Sequence, residues 1–411
     1  MVKNERGADM VVGIIGAGAS GMSAALWASR NPNVQVILLE RQARVGRKLQ
    51  ATGNGRCNLS NRNFHISHYH GEDPEFAEDV FRQFTVEDTI EWFSSLGLLT
   101  VTEETGKIYP YSDHANSVTD VLRLALNKEN ISVRLGFEVE KIKKTPDGFA
   151  VESKEETILC DRLILACGGL AGTKLGGTMA GYKLLSKLGH RSTKLRPNLV
   201  QIKSRWPALI ALKGVRTNCA VDILHNGNVC AQSRGELQFT EQALSGPVIF
   251  EISRDVCAAA GTWIARLDFL PQWTQEQLMA HLQSRVEKNY PVEELLTGVL
   301  HNRLGRVLTQ CAGMKGKAYC KELSQRELAE LCKCVKMLEV ELTEPMGMEN
   351  AQVTAGGVLT ADFDPVTLES KRVPGLYVCG EVLDVDGDCG GYNLQWAWSS
   401  GYVAGIHAGK V

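Results

Sequence analysis

The chain has 411 residues, of which 44% are hydrophobic and 22% charged, with a net charge of −2. That length supports two or three domains with a sizeable core, and the near-neutral balance offers no long-range attraction for nucleic acid or an anionic membrane. No apolar run approaches the roughly 20 residues of a bilayer-spanning helix, and MVKNERGADM lacks the apolar stretch of an export signal, so a cytoplasmic protein is expected.

In chain order, the apolar run MVVGII at Met10–Ile15 reads as a buried parallel strand. It flows into GAGASG and then the helix former SAALWASR, and VQVILLE at Val34–Glu40 is a second strand. Together they make a βαβ unit. Residues 74–98 and 118–127 follow helical periodicity, and 132–144 with 148–153 alternate like strands of a small sheet. DRLILAC at 161–167 is again a buried strand, ending in Gly168-Gly169. Beyond Pro197 the pattern changes. Residues 198–253 alternate in period two, with turn signals at Asn226-Gly227 and Ser245-Gly246-Pro247, which predicts an antiparallel sheet or small barrel. Residues 275–311 and 324–336 read as helices, β character returns at Met337, GLYVCG is a buried strand, and 394–408 form a closing helix. The expected organisation is an α/β nucleotide-binding core built from both ends of the chain, 1–197 and 343–411, with a β-plus-α insert at 198–342.

The twelve cysteines include no C-x-x-C pair, and Cys332 and Cys334 form only C-x-C. A zinc site is poorly supported, and without an export signal so is a disulfide framework.

Gly16, Gly18 and Gly21 spell G-x-G-x-x-G, with Ala17, Ala19 and Ser20 between them, after a strand and at the start of a helix. In that context the glycines permit a tight turn, backbone approach to a pyrophosphate and close helix–strand packing. The helix N–H groups and dipole would face the phosphates. Glu40 ends the second strand, placed to accept from an adenosine ribose, and an acid there favours a 2′-hydroxyl over a 2′-phosphate. It does not separate FAD from NAD. Two further features favour a flavin. RQARVGRK at 41–48 resembles the stretch after the second strand of many flavoproteins, and in GLYVCGEVLDVDGDCGGYNLQWAWSSGYVAG a strand ends at Gly380-Glu381, Asp384 follows, and Gly390-Gly391 opens a helix. Asp384 is the expected ribityl ligand, and the helix start would face the flavin pyrimidine edge, where charge develops on reduction.

With those residues in view, the sequence resembles the YhiN/BaiN-type flavoproteins, an aminoacetone-oxidase-like group of NAD(P)/FAD-dependent oxidoreductases. The resemblance covers nearly the whole chain through GAGASG at 16–21, KLQATGNGRCNLSN at 48–61, GKIYPYSDHA at 106–115, ACGG at 166–169, GELQFTEQALSGP at 235–247, TAGGV at 354–358 and GEVLDVDGDCGGYNLQWAWSSGYVAG at 380–405. Asn54 stands where many members have glycine and Glu241 where histidine is common. The resemblance implies a split glutathione-reductase-like FAD-binding Rossmann core with an inserted β-barrel and helical domain. It also implies reductive steps on 3-oxo-4,6-diene bile acid intermediates in some members.

On this reading Arg47 and Lys48 meet phosphate or flavin carbonyl oxygens, and Asn54, Arg56 and Asn58 donate to the ring or to a substrate carbonyl. Arg41, Gly53, Val139, Ala166 and Gly168 complete the expected cofactor set, with Gly380, Glu381, Gly391, Tyr392, Asn393 and Leu394. Asn54, Arg56, Tyr109 and Tyr392 are the catalytic candidates, since a phenol can protonate an enolate or carbanion; tyrosines are also ordinary packing residues. Cys57, with Cys389 as a possible spatial partner, is a weaker redox candidate. His65, His68 and His70 read as a polar turn rather than a metal site, and Trp396 and Trp398 as core.

Three functions stay open. One is a reductase in which NAD(P)H binds transiently, there being a single glycine fingerprint, and a conjugated ketone is reduced. Another is an oxidase of a small amine or amino ketone, and the third is a non-catalytic flavin-binding sensor or RNA-associated module. A small-molecule substrate is expected, with no nucleic acid or membrane partner, while the oligomeric state is left open. The substrate is expected to meet residues 54–58, 390–393 and a wall at 239–247 that includes Glu241 and Leu244.

Overall fold

A computed structural model describes residues 10–411. It divides into two compact units: residues up to Arg196 joined by Gln352–Val411, and Pro197–Ala351.

The first unit is organised on five parallel strands, β1 (Met10–Ile15), β2 (Val34–Glu40), β3 (Ile131–Leu135), β4 (Arg162–Leu165) and β5 (Leu376–Val378), in the order β5-β4-β1-β2-β3. Strand β1 is central, and four of its six residues are buried in an unbroken run, Val12 to Ile15, through Gly13 and Ile14. Such continuous apolarity suits a strand covered on both faces. Helix α1 (Ala19–Ala28) links β1 to β2 and packs against the final helix α2 (Tyr392–Ala408). A side chain at Gly401 or Gly405 would meet the α1 backbone at Ser20 or Ala24, so the small residues of α2 are what let the two helices close. Trp396 and Trp398 are fully buried, and their indole N–H groups donate to the carbonyls of Gly380 and Leu59.

The stretch 132–144 splits between two sheets. Its start belongs to β3, the chain turns at Gly136 (φ 72°), and Lys141–Thr145 joins Gly148–Glu152 and Thr157–Cys160 in a three-stranded antiparallel sheet. The helical stretch 74–98 breaks at Phe84 into Phe76–Gln83 and Val86–Ser95, because Thr85 and Asp88 form a capping box that starts a new helix.

The second unit holds a closed six-stranded barrel: Ile202–Ser204, Ala243–Ser245, Asn228–Phe239, Arg216–His225, Trp263–Asp268 and Leu338–Pro345. Asn226 and Gly227, both with positive φ, make its tight hairpin. The β pattern expected through residue 253 ends earlier, and Pro247–Ala258 is a helix. Proline at its first position and buried Val248, Ile249, Ile252 and Val256 give it helical rather than strand periodicity. The predicted helix over 275–311 is interrupted, leaving Gln275–Glu287 and Asn302–Cys311. Leu338–Pro345 is a barrel strand paired with both Trp263–Asp268 and Ile202–Ser204, so this unit continues past residue 342 to Ala351. No helix among the described residues is long and apolar enough to cross a membrane.

Candidate active site

The glycine loop sits at the carboxyl end of β1. A Cβ on Gly16 would strike the Ala166 carbonyl, and one on Gly21 would strike the Gly16 carbonyl. These two glycines therefore seal the turn against β4. Gly18, the N-cap of α1, faces open space and supplies no side-chain cap. The first N–H groups of α1 thus lack an intrahelical partner, the arrangement that receives a phosphate. Glu40 braces this loop: its carboxylate accepts from the Ala17 N–H at 2.8 Å and the Gln42 N–H at 2.9 Å. Ala166 is buried beneath Gly16, and Gly168 (φ 70°) has nothing within 4 Å of a notional Cβ. Ser20 is buried, Ala19 half-buried, and Gly380 approaches the Ser20 hydroxyl so closely that a side chain there would collide with it. Val139 lies between β3 and the small antiparallel sheet, half-buried against the core.

After β2 the chain carries four cations with different fates. Arg41 donates to the Gly176 carbonyl at 2.8 Å, and Arg47 to the Gln42 side chain at 2.6 Å. Arg44 is exposed. Lys48 reaches across to Glu381, Nζ to Oε2 at 2.8 Å, while the other carboxylate oxygen of Glu381 accepts the Thr354 N–H at 2.9 Å. Of Glu381 and Asp384, the acids singled out after β5, Glu381 is the one beside Lys48. Asp384 is buried and accepts the Glu72 N–H at 3.2 Å, so the structure does not bring it to Lys48 as it does Glu381.

The stretch at 49–61 converges with Tyr109 and the start of α2. Gly53 and Asn54 both adopt left-handed backbone, φ 56°. A Cβ on Gly53 would stand 3.5 Å from the Tyr109 ring and 2.9 Å from the Asn58 nitrogen, and one on Gly391 would stand 2.8 Å from Asn58 Oδ1. Asn54 is exposed. Arg56 has two acidic partners: Nη2 donates to Glu103 at 2.8 Å, Nε donates to Asp113, and the guanidinium lies 3.9 Å from the Tyr109 ring centroid. Those hydrogen bonds push its already high pKa further up.

The two candidate phenols differ. The Tyr392 hydroxyl donates to the Asn63 carbonyl at 3.2 Å, its ring stacks on His68, and its own carbonyl accepts from Tyr69. The Tyr109 hydroxyl makes no hydrogen bond among the described residues and is not among the water-excluded polar atoms. Burial chiefly, then Glu103, raises its pKa, so the phenol stays protonated at neutral pH. Asn393 holds the preceding turn, its side chain bonded to Gly387 N–H and carbonyl, and Leu394 is half-buried. Cys57 is fully buried, and burial pushes its thiol up to about 12, which keeps it from acting as a thiolate.

Two groupings escape a reading of the chain. Glu103 and Asp113 flank Arg56 from distant positions. Asp388 sits between two of the histidines, 2.9 Å from His68 Nδ1 and 2.7 Å from His70 Nε2. Among the described residues no group of three or more His, Cys, Asp or Glu could hold a metal ion. In the barrel unit Glu241 is exposed and paired with Lys213, whereas Leu244 is wholly buried in the barrel and lines no surface. A run of the sequence itself could have signalled another feature: no Asp or Glu occurs at 41–71 or 162–221.

The model of the HI0933-like protein Rossmann domain matches residues 10–407. A 3-dehydro-bile acid delta(4,6)-reductase of Clostridium scindens is 40% identical, the match covering 97% of this chain and 99% of that one. A ribosomal RNA dihydrouridine synthase of Escherichia coli is 32% identical, over 95% and 96%. The fold is shared with 3-ketosteroid delta1-dehydrogenase from Sterolibacterium denitrificans, TM-score 0.51 at 13% identity, covering 97% of this chain and 99% of the other. A parallel sheet that brings a glycine-rich turn and an acid at the end of β2 together suits such a domain, and the chain belongs to the HI0933-like Rossmann-domain family.

Proposed function

We propose that the protein is an FAD-dependent oxidoreductase that saturates a carbon–carbon double bond conjugated to a carbonyl, with NAD(P)H as a transient electron donor and a steroid-like 3-oxo-4-ene as substrate. The observation that carries the reading is the free, protonated phenol of Tyr109 against the Gly53–Asn58 turn, in a chain 40% identical to a 3-dehydro-bile acid delta(4,6)-reductase. The residues fit FAD: the uncapped α1 start at Gly18 suits the pyrophosphate, Glu40 ends β2 where an acid would receive a ribose, and the Lys48–Glu381 pair offers a donor and an acceptor. FAD, once reduced by NAD(P)H, would supply the hydride for the β-carbon. Tyr109 delivers the proton to the α-carbon, so that two hydrogens add across the bond and one NAD(P)H is oxidised. Tyr392, its hydroxyl held by a backbone carbonyl, packs the start of α2 instead.

The test is anaerobic NAD(P)H consumption with 3-oxo-4-ene steroids, with mass spectrometry of the product. A gain of two hydrogens supports the reading. Peroxide formed in air from an amine, with no enone turnover, overturns it in favour of an oxidase.

One observation favours a second substrate for the same chemistry. The acid-free stretches carry exposed cations, among them Arg44, Arg47, Lys174, Lys183, Lys187 and Arg191. The two stretches touch where Arg41 meets Gly176. A relative is a ribosomal RNA dihydrouridine synthase, and the uracil C5=C6 bond is also conjugated to a carbonyl. Dihydrouridine formed in unmodified ribosomal RNA, with steroid enones inert, would select this reading.

A further inference from the structure

The geometry points to Glu103 and Asp113 as positioning residues that hold the Arg56 guanidinium over the Tyr109 ring and so fix the charge around the proton-donating phenol. This rests on Tyr109 being the donor. Arg56 lies at the end of a turn with three consecutive left-handed residues, Gly53, Asn54 and Gly55, and has a long side chain of its own. Nothing in that turn would hold its guanidinium in one place. Glu103 follows the strand Thr100–Thr102, and Asp113 follows Lys107–Pro110, the strand that carries Tyr109. They take Nη2 and Nε of the same planar group. Two acceptors on different nitrogens fix the orientation of the plane, and one flat face of it lies over the ring.

Stability alone does not account for the arrangement. Both pairs are about as exposed as surface ion pairs, side chains 37% and 38% in one and 37% and 60% in the other. Exposed pairs contribute little to folding. What the cluster does control is the phenol. The cation over the ring face favours phenolate, whereas the two carboxylates and nearby Cys389 oppose it, as does burial. One positive and two negative charges leave the balance with the protonated form. The phenol therefore keeps its proton at neutral pH until negative charge develops on substrate carbon, while Arg56 eases the transfer.

The experiment uses the FAD-loaded protein with 13Cζ-tyrosine, the Tyr109 signal being assigned by its loss in Tyr109→Phe. Arg56→Gln should raise the Tyr109 titration midpoint by about half a unit or more. Arg56→Lys keeps the charge but not the fork, and should give a midpoint between those of wild type and Arg56→Gln. Glu103→Gln with Asp113→Asn should change kcat by less in the Arg56→Gln background than in wild type, because the positioning part of their effect passes through Arg56 and only their direct charge effect on the phenol remains. A midpoint unmoved by Arg56→Gln, or carboxylate effects that add in full to those of Arg56→Gln, would overturn the inference. A shifted midpoint with full turnover in Tyr109→Phe would instead sink the donor reading and leave the electrostatic device standing.

Discussion

Glu40 gives the sharpest test of the nucleotide site, because its carboxylate is already occupied in two ways. It accepts the Ala17 N–H inside the glycine loop and the Gln42 N–H just beyond β2. Ala17 is fully buried, so its N–H has no water to turn to. Glu40→Gln keeps the shape but turns one acceptor into a donor facing an N–H, and Glu40→Ala removes both acceptors. Leaving a buried donor unpaired costs about 1–3 kcal/mol, which for a domain of this size lowers the apoprotein melting temperature by roughly 2–10 °C. A lost charge-assisted hydrogen bond to ribose would cost FAD binding a further 1.5–3 kcal/mol or so, or roughly a 10- to 100-fold weaker Kd. Flavin fluorescence quenching reads the second effect and an apoprotein melt the first. If the acid only braces the loop, most of the loss appears in the melt; if it also holds ribose, the Kd moves further than the melt explains. A Kd within twofold of wild type and an unchanged melt would refute both roles.

Tyr109→Phe should lower kcat by about 10²–10⁴ with FAD still bound, the range for a positioned general acid, whereas Tyr392→Phe, which gives up only a bond to the Asn63 carbonyl, should retain turnover; steady-state kinetics of the pair decides. Cys57, buried and with its thiol at about 12, should escape iodoacetamide in the folded protein at mildly alkaline pH, and early labelling seen by peptide mass spectrometry would contradict the burial. Lys48→Met should leave Glu381 without its ion-pair partner and weaken FAD binding measurably, and an unchanged Kd would remove that pair from the site. Burial pushes Asp388 up, but hydrogen bonds from His70 and His68 outweigh it and hold the acid below its ordinary value. Its contribution to stability is therefore complete above the unfolded value of about 4 and lost as pH falls below it; Asp388→Asn should flatten that acid-side loss in urea melts taken across this range.

The parts of the fold that are legible in the chain are the parts with local physical causes. Met10–Ile15, GAGASG and Glu40 each carry their own signal, and the sheet and the sealed turn follow from it. Pro247–Ala258 was obscured because Ser245-Gly246-Pro247 reads equally as a hairpin turn or as a helix start, and only the spacing of Val248, Ile249, Ile252 and Val256 separates the two. The site is less legible, since its decisive partners are remote. Arg56 looks unpaired until Glu103 and Asp113 arrive from distant positions to engage two of its nitrogens. The histidines look like a solvated turn until Asp388, more than 300 residues on, pairs with two of them. Tyr109 and Tyr392 cannot be ranked from the sequence, because what distinguishes them is whether a backbone carbonyl happens to lie within reach of the hydroxyl.

The position of β5 beside β4 sets an order of events on the ribosome. When β4 emerges, β1, β2 and β3 can already pair with one another, but the outer edge of β4 has no neighbour until β5 is made. The whole of the barrel unit is synthesised in between, along with the segment before Leu376, which takes about 10–40 s at ordinary elongation rates. The barrel, contiguous from Pro197 to Ala351, can close on its own schedule, while the nucleotide unit waits with a sticky strand edge exposed and α1 still lacking α2. During that interval Glu381 and the helix start at Gly391, which the proposed cofactor site would use, do not yet exist. Aggregation during synthesis, rather than marginal stability of the finished protein, is where this architecture is most vulnerable, and slowing elongation through the barrel should lower soluble yield while leaving the melting temperature of the recovered protein untouched.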